Sequence, residues 1–199
     1  MRSKAIDIVV LAAGKSTRTG TVNKLLVHFN GKPLVKHGID AALKSKANHV
    51  RIVTGYQQDQ LREILNDYPV TFVYNSDYAL GIGASIQCAL NSLPKNIDGV
   101  ILCLADMPFI ATHHFNSLID NFDGDSLCGL YFNAERGHPI LFPKRWFRKL
   151  TQLHESNGAK SLLRDSHEKI TRILVPSDAI FRDIDKLDDF RITYSSIND

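Results

Sequence analysis

The fold class is decided by the stretch Ile6-Asp7-Ile8-Val9-Val10-Leu11-Ala12-Ala13-Gly14. Its apolar, β-branched first part predicts a buried strand, and a loop rich in Gly and Thr follows over residues 12–23. Further strands are predicted over residues 50–54, 70–74 and 99–104, with helices from Pro33, over 57–66 and over 85–92 between them. Strand and helix alternating at this spacing indicate parallel β-α-β units with right-handed crossovers.

The pattern changes after about residue 122. Residues 125–133 and 137–142 are predicted as paired strands joined by a turn at 134–136. A helix over 143–153, a segment over 159–164 and a strand over 170–175 follow, and residues 181–185 precede a last helix from Lys186. We therefore expect one α/β domain over residues 1–199, with a mainly parallel, mixed sheet flanked by helices and a partly antiparallel C-terminal portion.

Composition narrows the functional classes. The 199 residues include 24 Lys plus Arg and 21 Asp plus Glu, and this net charge of +3 is too small to argue for a nucleic-acid binder. Three cysteines without a C-x-x-C pair suit the reducing cytoplasm better than a disulfide scaffold. Since no apolar run approaches the ~18 residues of a membrane span, we expect a cytoplasmic protein with no membrane partner.

The loop after the first strand has the composition of a phosphate site. It carries Lys15, Arg18 and Lys24 and no acid, and Gly14 and Gly20 let the backbone approach a ligand closely. The alternative is a solvated surface loop with ordinary charges. A Walker P-loop is excluded, because the spacing between the two glycines is one residue too long and Lys does not follow the second.

Carboxylates follow the fourth strand and return late in the chain. Asp106 stands at the carboxyl end of the strand, where ligands of such sheets bind and where it could ligate a hard cation or cap the next helix. Asp183 and Asp185 share a face if their segment is extended, although Asp185 with Asp188 also reads as a helix cap.

A second glycine motif leaves another class open. Gly81-x-Gly83, after the third strand, is an incomplete dinucleotide fingerprint that lacks the third small residue. An NAD-binding dehydrogenase is therefore a rival, and it would bind NAD without magnesium.

Several of these stretches together resemble one family. The run from Leu11 to Arg18, with Gly20 and Lys24, resembles the L-A-A-G-x-S-x-R-M-G-x-x-K signature of nucleotidyltransferases. It is similar, more narrowly, to the molybdenum cofactor cytidylyltransferases among the MobA-like NTP transferases. Further matching elements are Leu104-Ala105-Asp106-Met107-Pro108, the Asp183-Ile184-Asp185 run, Asn75 with Gly81 and Ser85, Gly137-His138-Pro139-Ile140-Leu141-Phe142, and Gly158-Ala159-Lys160-Ser161-Leu162-Leu163.

The resemblance implies a Rossmann-like nucleotidyltransferase fold and a set of site residues. Lys24, Arg18 and Asp106 would be catalytic, Asp106 and Asp185 would hold Mg²⁺, and His138 and Pro139 would meet the acceptor. The remaining nucleotide-binding candidates lie at strand ends and in the two glycine loops: Leu11, Ala12, Ala13, Gly14, Thr54, Gly55, Gly81 and Ser85.

The reaction implied is transfer of CMP from CTP to the terminal phosphate of molybdopterin, with pyrophosphate leaving. A molybdoenzyme of the hydroxylase class would be the partner served. Three alternatives to this reaction stay open beside the dehydrogenase: a molybdopterin guanylyltransferase, a sugar- or alditol-phosphate nucleotidyltransferase, and a catalytically silent nucleotide-binding accessory protein.

Overall fold

The structure, a computed structural model, describes residues 4–15, 23–153 and 169–185. Arg18, Gly20, the segment over 159–164, the 158–163 motif and the last helix predicted from Lys186 lie outside these residues. Within the described part, no helix is both long and apolar enough to cross a membrane.

Nine strands and five α-helices alternate along the described chain. The strands are β1 (Ile6–Ala12), β2 (His28–Phe29), β3 (Lys32–Pro33), β4 (His49–Thr54), β5 (Thr71–Tyr74), β6 (Gly99–Leu104), β7 (Leu127–Phe132), β8 (Glu135–Pro143) and β9 (Ile170–Leu174). The α-helices are α1 (Leu34–Leu43), α2 (Gln58–Ile64), α3 (Ile82–Asn91), α4 (Thr112–Asp120) and α5 (Phe147–Thr151). Short 3₁₀ helices lie at Lys24–Leu26, Tyr78–Leu80, Lys144–Trp146 and Asp178–Ile180.

Seven strands form one mixed sheet in the order β5-β4-β1-β6-β8-β7-β9. The first four are parallel to one another, whereas β8 runs antiparallel to both of its neighbours, β6 and β7. The edge strand β9 is again parallel to β7. This architecture confirms the predicted α/β fold with a mainly parallel, mixed sheet and an antiparallel portion late in the chain.

The sheet separates two apolar layers, because side chains alternate along each strand. In β1, Ile6, Ile8 and Val10 point to the layer that α1, α2 and α4 complete. Val9 points to the opposite layer, to which α3 contributes Ile86, the 3₁₀ turn before α5 contributes Trp146, and α5 contributes Leu150. Both faces of the central strands are therefore buried, as expected for parallel strands covered by helices on both sides.

The sequence-based boundaries differ from the structure at three places. Helix α3 begins at Ile82 rather than Ser85, so Gly83 is helical and only Gly81, with φ 125°, occupies the left-handed region. The hairpin between β7 and β8 turns at Asn133 and Ala134, which both have positive φ, instead of at 134–136. The predicted helix over 143–153 is in fact the end of β8, a 3₁₀ turn and the short α5.

Candidate active site

The carboxyl ends of the parallel strands enclose a pocket of about 350 Å³, here called the first pocket. It lies beside β1 and β6 and receives the start of α3, which is the region where α/β sheets bind ligands. Six predicted nucleotide-binding residues line it together: Leu11, Ala13, Gly14, Gly81, Ser85 and Asp106.

Three other predicted nucleotide-binding residues lie behind this lining. Ala12 is buried and pairs in register with Thr54, which is fully buried. Gly55 packs so closely that a Cβ built on it would lie 2.5 Å from the Cβ of Tyr78 and 3.0 Å from the carbonyl oxygen of Ala13. These three residues lie behind the lining of the first pocket and are not part of it.

Tyr78, which the sequence did not single out, lines the first pocket. Gly55 leaves the space in which the tyrosine sits, and the Lys15 ammonium lies 5.7 Å from the centroid of its ring. An aromatic ring at a mainly apolar pocket wall offers a surface on which a nucleobase can stack. The sequence feature that could have indicated Tyr78 is its position between the third predicted strand and the glycine motif.

A buried amide fixes the orientation of Ser85. The Nδ2 group of Asn75 donates to the Ser85 hydroxyl oxygen at 3.1 Å, and the amide of Asp77 donates to Asn75 Oδ1 at 3.0 Å. Because Ser85 accepts from Asn75, its own hydroxyl hydrogen is available to donate, and it has no acceptor among the described residues. The hydroxyl can therefore serve as a donor toward the first pocket.

Lys24 lies between two of the predicted carboxylates. Its Nζ donates to Asp106 Oδ2 at 2.7 Å and to Asp185 Oδ1 at 2.8 Å. The lysine begins a 3₁₀ turn that is capped by Asn23, whose Oδ1 accepts from the amide of Leu25 at 3.1 Å. Burial disfavours the ammonium, but the two carboxylates outweigh this effect and raise the pKa of Lys24 above its ordinary 10.5.

Asp106, Asp183 and Asp185 form what we call the carboxylate cluster, in which one oxygen of each lies within 4.8 Å of the others. Ile184 between the last two is buried, which confirms the predicted extended alternation. Burial, and then the charges of Asp185 and Asp106, raise the pKa of Asp183. Asp106 does not cap α4, since that helix begins at Thr112 after Ala111.

The cluster suits a divalent cation. Oxygen ligands are those that hard divalent ions prefer, and Asp106 Oδ1 is buried without a hydrogen-bond partner in the described part of the chain. Three like charges this close repel one another, and the Lys24 ammonium neutralises part of that charge. The cluster can therefore hold a divalent ion, and its geometry does not distinguish Mg²⁺ from other divalent ions.

Residues 178–185, here called the closing segment, reach the cluster through specific contacts. The amide of Ile184 donates to the carbonyl of Asp106 at 2.9 Å, and the Arg182 guanidinium stacks 3.9 Å from the ring centroid of Phe109. At Gly137, a built Cβ would lie 2.7 Å from the Cβ of Ile180. Only a glycine at position 137 allows this close approach between β8 and the closing segment.

A second pocket, of about 200 Å³, lies on the other side of Leu104 and includes Asp183. The register that pairs Leu102 with Ile140 brings the residues before Ile140 to the carboxyl end of β6. His138, a predicted acceptor residue, lines this pocket, and Pro139 lies beside it in the buried part of β8. Arg136 also lines it and was missed, because the predicted turn at 134–136 removed it from the strand.

Comparison with known proteins gives the same architecture. The chain is 35% identical over 108 residues to the bifunctional protein GlmU of Kineococcus radiotolerans, which covers 53% of this chain and 22% of GlmU. The chain thus spans about a fifth of the length of that relative. A crystal structure of an Rv0371c homologue from Mycobacterium sp. strain JC1 matches with 27% identity and a TM-score of 0.87 over 99% of this chain and 98% of that one.

A second solved structure is that of Rv0371c from Mycobacterium tuberculosis H37Rv in complex with manganese. It is 23% identical, with a TM-score of 0.84 over 97% of this chain and all of that one, and this structural similarity shows that the two share a fold. The profile of the MobA-like NTP transferase domain matches residues 8–170. With this match, and with the pocket and carboxylates at the expected strand ends, the chain belongs to the family of MobA-like NTP transferase domains.

Proposed function

We propose that this protein transfers CMP from CTP to the terminal phosphate of molybdopterin and releases pyrophosphate. The observation that carries the proposal is the position of the carboxylate cluster between the two pockets. Asp106 lines the first pocket and Asp183 the second, so the two substrates would meet at the cluster. A transfer between two bound molecules needs such a meeting point.

The first pocket would take the nucleotide. Ala13 and Gly14 offer small groups and Leu11 an apolar side chain, Gly81 and Ser85 would supply contacts from the start of α3, and Ala12, Thr54 and Gly55 support them from behind. We propose that the methyl group of Ala13 takes up space that a purine would need, and this steric term is our reason for preferring CTP over GTP.

The cluster would hold the metal, through Asp106 and Asp185, and we propose Mg²⁺. When bound, the ion supplies charge neutralisation on the phosphates and polarises the phosphoryl oxygens. Asp106 and Asp185 orient their carboxylates toward one point, and the hydrogen bond from Ile184 to Asp106 holds the closing segment in register with β6.

Lys24 and Arg18 would stabilise charge in the nucleotide. Phosphoryl transfer depends on positioning and on electrostatic stabilisation rather than on a covalent nucleophile. The Nζ of Lys24 contacts Asp106, which lines the first pocket, and its charge would there help to neutralise the phosphates of the nucleotide. The role proposed for Arg18 rests on its position in the sequence motif of the basic loop.

His138 and Pro139 would meet the acceptor in the second pocket. We also propose that residues 1–199 act as a single domain in the cytoplasm, with a molybdoenzyme of the hydroxylase class receiving the product. Three free cysteines agree with a reducing compartment.

The deciding experiment is a pyrophosphate-release screen. CTP, GTP, UTP and ATP are each combined with molybdopterin, with a panel of sugar and alditol phosphates, or with no acceptor, in the presence of Mg²⁺. We expect release only with CTP and molybdopterin together. Release with GTP would indicate the guanylyltransferase, and release with a sugar phosphate would reassign the acceptor. Nucleotide binding without any release would support the silent accessory protein.

A further inference from the structure

Arg136 stands in the second pocket as a half-buried cation with no described carboxylate within 4.0 Å. Asp183 lines the same pocket but is not in ion-pair contact with it. Arginine side chains that leave water are usually paired, because a guanidinium gives up strong hydration on burial. Arg136 thus contributes to the wall of the second pocket a guanidinium group that can donate hydrogen bonds to an anionic ligand.

The stem of Arg136 is held in place. A Cβ built on Gly129, in the neighbouring strand β7, would lie 3.0 Å from Cδ and 3.3 Å from Cγ of Arg136. The missing side chain at position 129 therefore makes the space in which the arginine stem lies. A cation whose stem is packed loses less conformational freedom when it binds an anion than one on an open surface.

The rest of the second pocket has few polar groups. Its apolar lining consists of Leu104, Met107, Ile140, Ile180 and Phe181, and beside Arg136 the polar side chains are His138 and Asp183. Phe181 is 37% exposed, so its ring offers a partly open flat face. A polyol would leave most of its hydroxyl groups without partners against such walls, whereas an apolar or flat body would not.

We infer that Arg136 binds the anionic group of the acceptor and that the acceptor is a phosphate ester with a flat ring system rather than a polyol. This inference rests on the proposed function for the identity of the second pocket as the acceptor site. A guanidinium matches a phosphate in a bidentate manner, which a lysine ammonium does not, so Arg136 acts as a specificity residue for an anionic acceptor.

Binding of a small probe tests the inference without turnover. Phenyl phosphate, phenol and glucose 1-phosphate are titrated onto protein with labelled isoleucine methyl groups, without added divalent ion. The signals of Ile140 and Ile180 report on the second pocket, since both residues line it and neither lines the first. The variants are Arg136→Gln and Arg136→Lys, and the matched control is Arg148→Gln at an exposed position on α5.

We expect phenyl phosphate to shift both isoleucine signals and its Kd to rise roughly ten- to hundredfold in Arg136→Gln, the scale for losing a charge-assisted hydrogen-bond pair. Arg136→Lys should recover only part of the loss, and Arg148→Gln should match the unsubstituted protein. Phenol binding should not depend on Arg136, and glucose 1-phosphate should bind more weakly than phenyl phosphate.

The inference is overturned if Arg136→Gln binds phenyl phosphate as the unsubstituted protein does, if the two isoleucine signals do not shift, or if glucose 1-phosphate binds more tightly. Failure of the proposed function has a different signature. In that case the screen gives no CMP transfer to molybdopterin, while the dependence of phenyl phosphate binding on Arg136 persists. If transfer is found, Arg136→Gln should raise the KM for the acceptor and leave the KM for CTP unchanged.

Discussion

The pockets beside the two halves of the sheet are lined by different kinds of residue. In the parallel half, β5-β4-β1-β6, the lining of the first pocket includes five small residues beside larger ones, namely Ala13, Gly14, Ala79, Gly81 and Ser85. In the antiparallel half, β8-β7-β9, the second pocket is lined by long side chains that project from the start of β8 and from the closing segment.

The difference follows from strand direction. Parallel strands all end at one edge of the sheet, so their loops meet there and offer backbone groups to a ligand. An antiparallel strand contributes its beginning to the same edge, and β8 therefore contributes side chains such as Arg136 and His138. Under the proposed function, the loops after the parallel strands would meet the nucleotide and the side chains of β8 would meet the acceptor.

The largest effect is expected where the halves meet, at Asp106. We expect Asp106→Asn to lower metal-dependent turnover by at least about 10³-fold, since it removes a carboxylate that pairs with Lys24 and lies within 4.8 Å of those of Asp183 and Asp185. The measurement is kcat as a function of Mg²⁺ concentration, together with Mn²⁺ binding followed by electron paramagnetic resonance.

Asp120→Asn is the matched control, because Asp120 pairs with Lys46 on the exposed surface and should not affect turnover. Asp183→Ala is expected to be milder than Asp106→Asn, because Asp185 is assigned as the second metal ligand. Full activity of Asp106→Asn at ordinary Mg²⁺ would remove the cluster from the mechanism.

Lys24→Ala tests the parallel half directly. We expect kcat to fall by roughly 10²–10³-fold, the scale for losing one charge-stabilising group in a site that excludes water. Lys46→Ala removes the exposed partner of Asp120 and serves as the control, with kcat unchanged. Near-normal turnover of Lys24→Ala would mean that its ion pairs with Asp106 and Asp185 serve stability alone.

Ala13→Gly tests whether the small side chains of the first pocket select the base. Removing the methyl group should narrow the preference for CTP over GTP by roughly ten- to two-hundredfold, the range for one methyl-sized difference in a pocket. The measurement is kcat/KM for each nucleotide with molybdopterin. If the ratio is the same in both proteins, the base is selected elsewhere in the pocket.

Gly137→Ala tests how tightly the antiparallel half holds the closing segment. The added methyl group would meet Ile180, so we expect Mn²⁺ affinity to fall about tenfold and the free energy of unfolding to fall by about 1–3 kcal/mol. Gly38→Ala in α1 is the control, because a Cβ there meets nothing within 4 Å and should stabilise the helix slightly. Unchanged metal affinity in Gly137→Ala would show that the segment adjusts.

The last prediction leaves activity at pH 7 unchanged and concerns α4, which packs on β7 and β8. Burial, and then the neighbouring His113, lower the pKa of His114 from 6.5 to about 4. Because the fold favours the neutral imidazole, the free energy of unfolding should fall as the pH drops from 6.5 toward 4, by about 2 kcal/mol between pH 7 and pH 5.

Urea unfolding at the two pH values measures this effect, with His114→Gln as the control that keeps a side-chain acceptor for the Ala111 amide. We expect the unsubstituted protein to lose about 2 kcal/mol more than the variant. Equal losses in both proteins would assign the acid sensitivity to other groups, and activity at pH 7 should be the same in both.

The parallel half was predictable from sequence, and the antiparallel half much less so. Apolar strands that end in Gly-rich or acidic loops indicate both the fold and the edge of the sheet at which a ligand would bind. Sequence reasoning therefore selected Gly14, Gly81 and Asp106, which line the first pocket. The β7–β8 turn requires positive φ at Asn133 and at Ala134. Alanine rarely adopts that conformation. The sequence pattern therefore placed the turn at 134–136, which left Arg136 outside the predicted strand.

Contacts between residues far apart in the sequence set the other limit on what could be predicted. Lys24 was predicted as a phosphate ligand, but its ion pairs join it to residues 82 and 161 positions away. Motif spacing identifies which residues carry charge and leaves open which of them neutralise one another. The same holds for Gly137, since its closeness to Ile180 depends on how the closing segment crosses β8.

The hydrogen bond between Ile184 and Asp106 links ligand binding to local unfolding. An ion that requires Asp185 beside Asp106 binds only the docked form of the closing segment, and so by mass action it adds about 1.4 kcal/mol to docking for each tenfold excess over its Kd. A bound ion would thus fasten the closing segment to the end of β6, although the two are distant in the chain. The protein would then resist local opening of the closing segment more with the ion bound than without it.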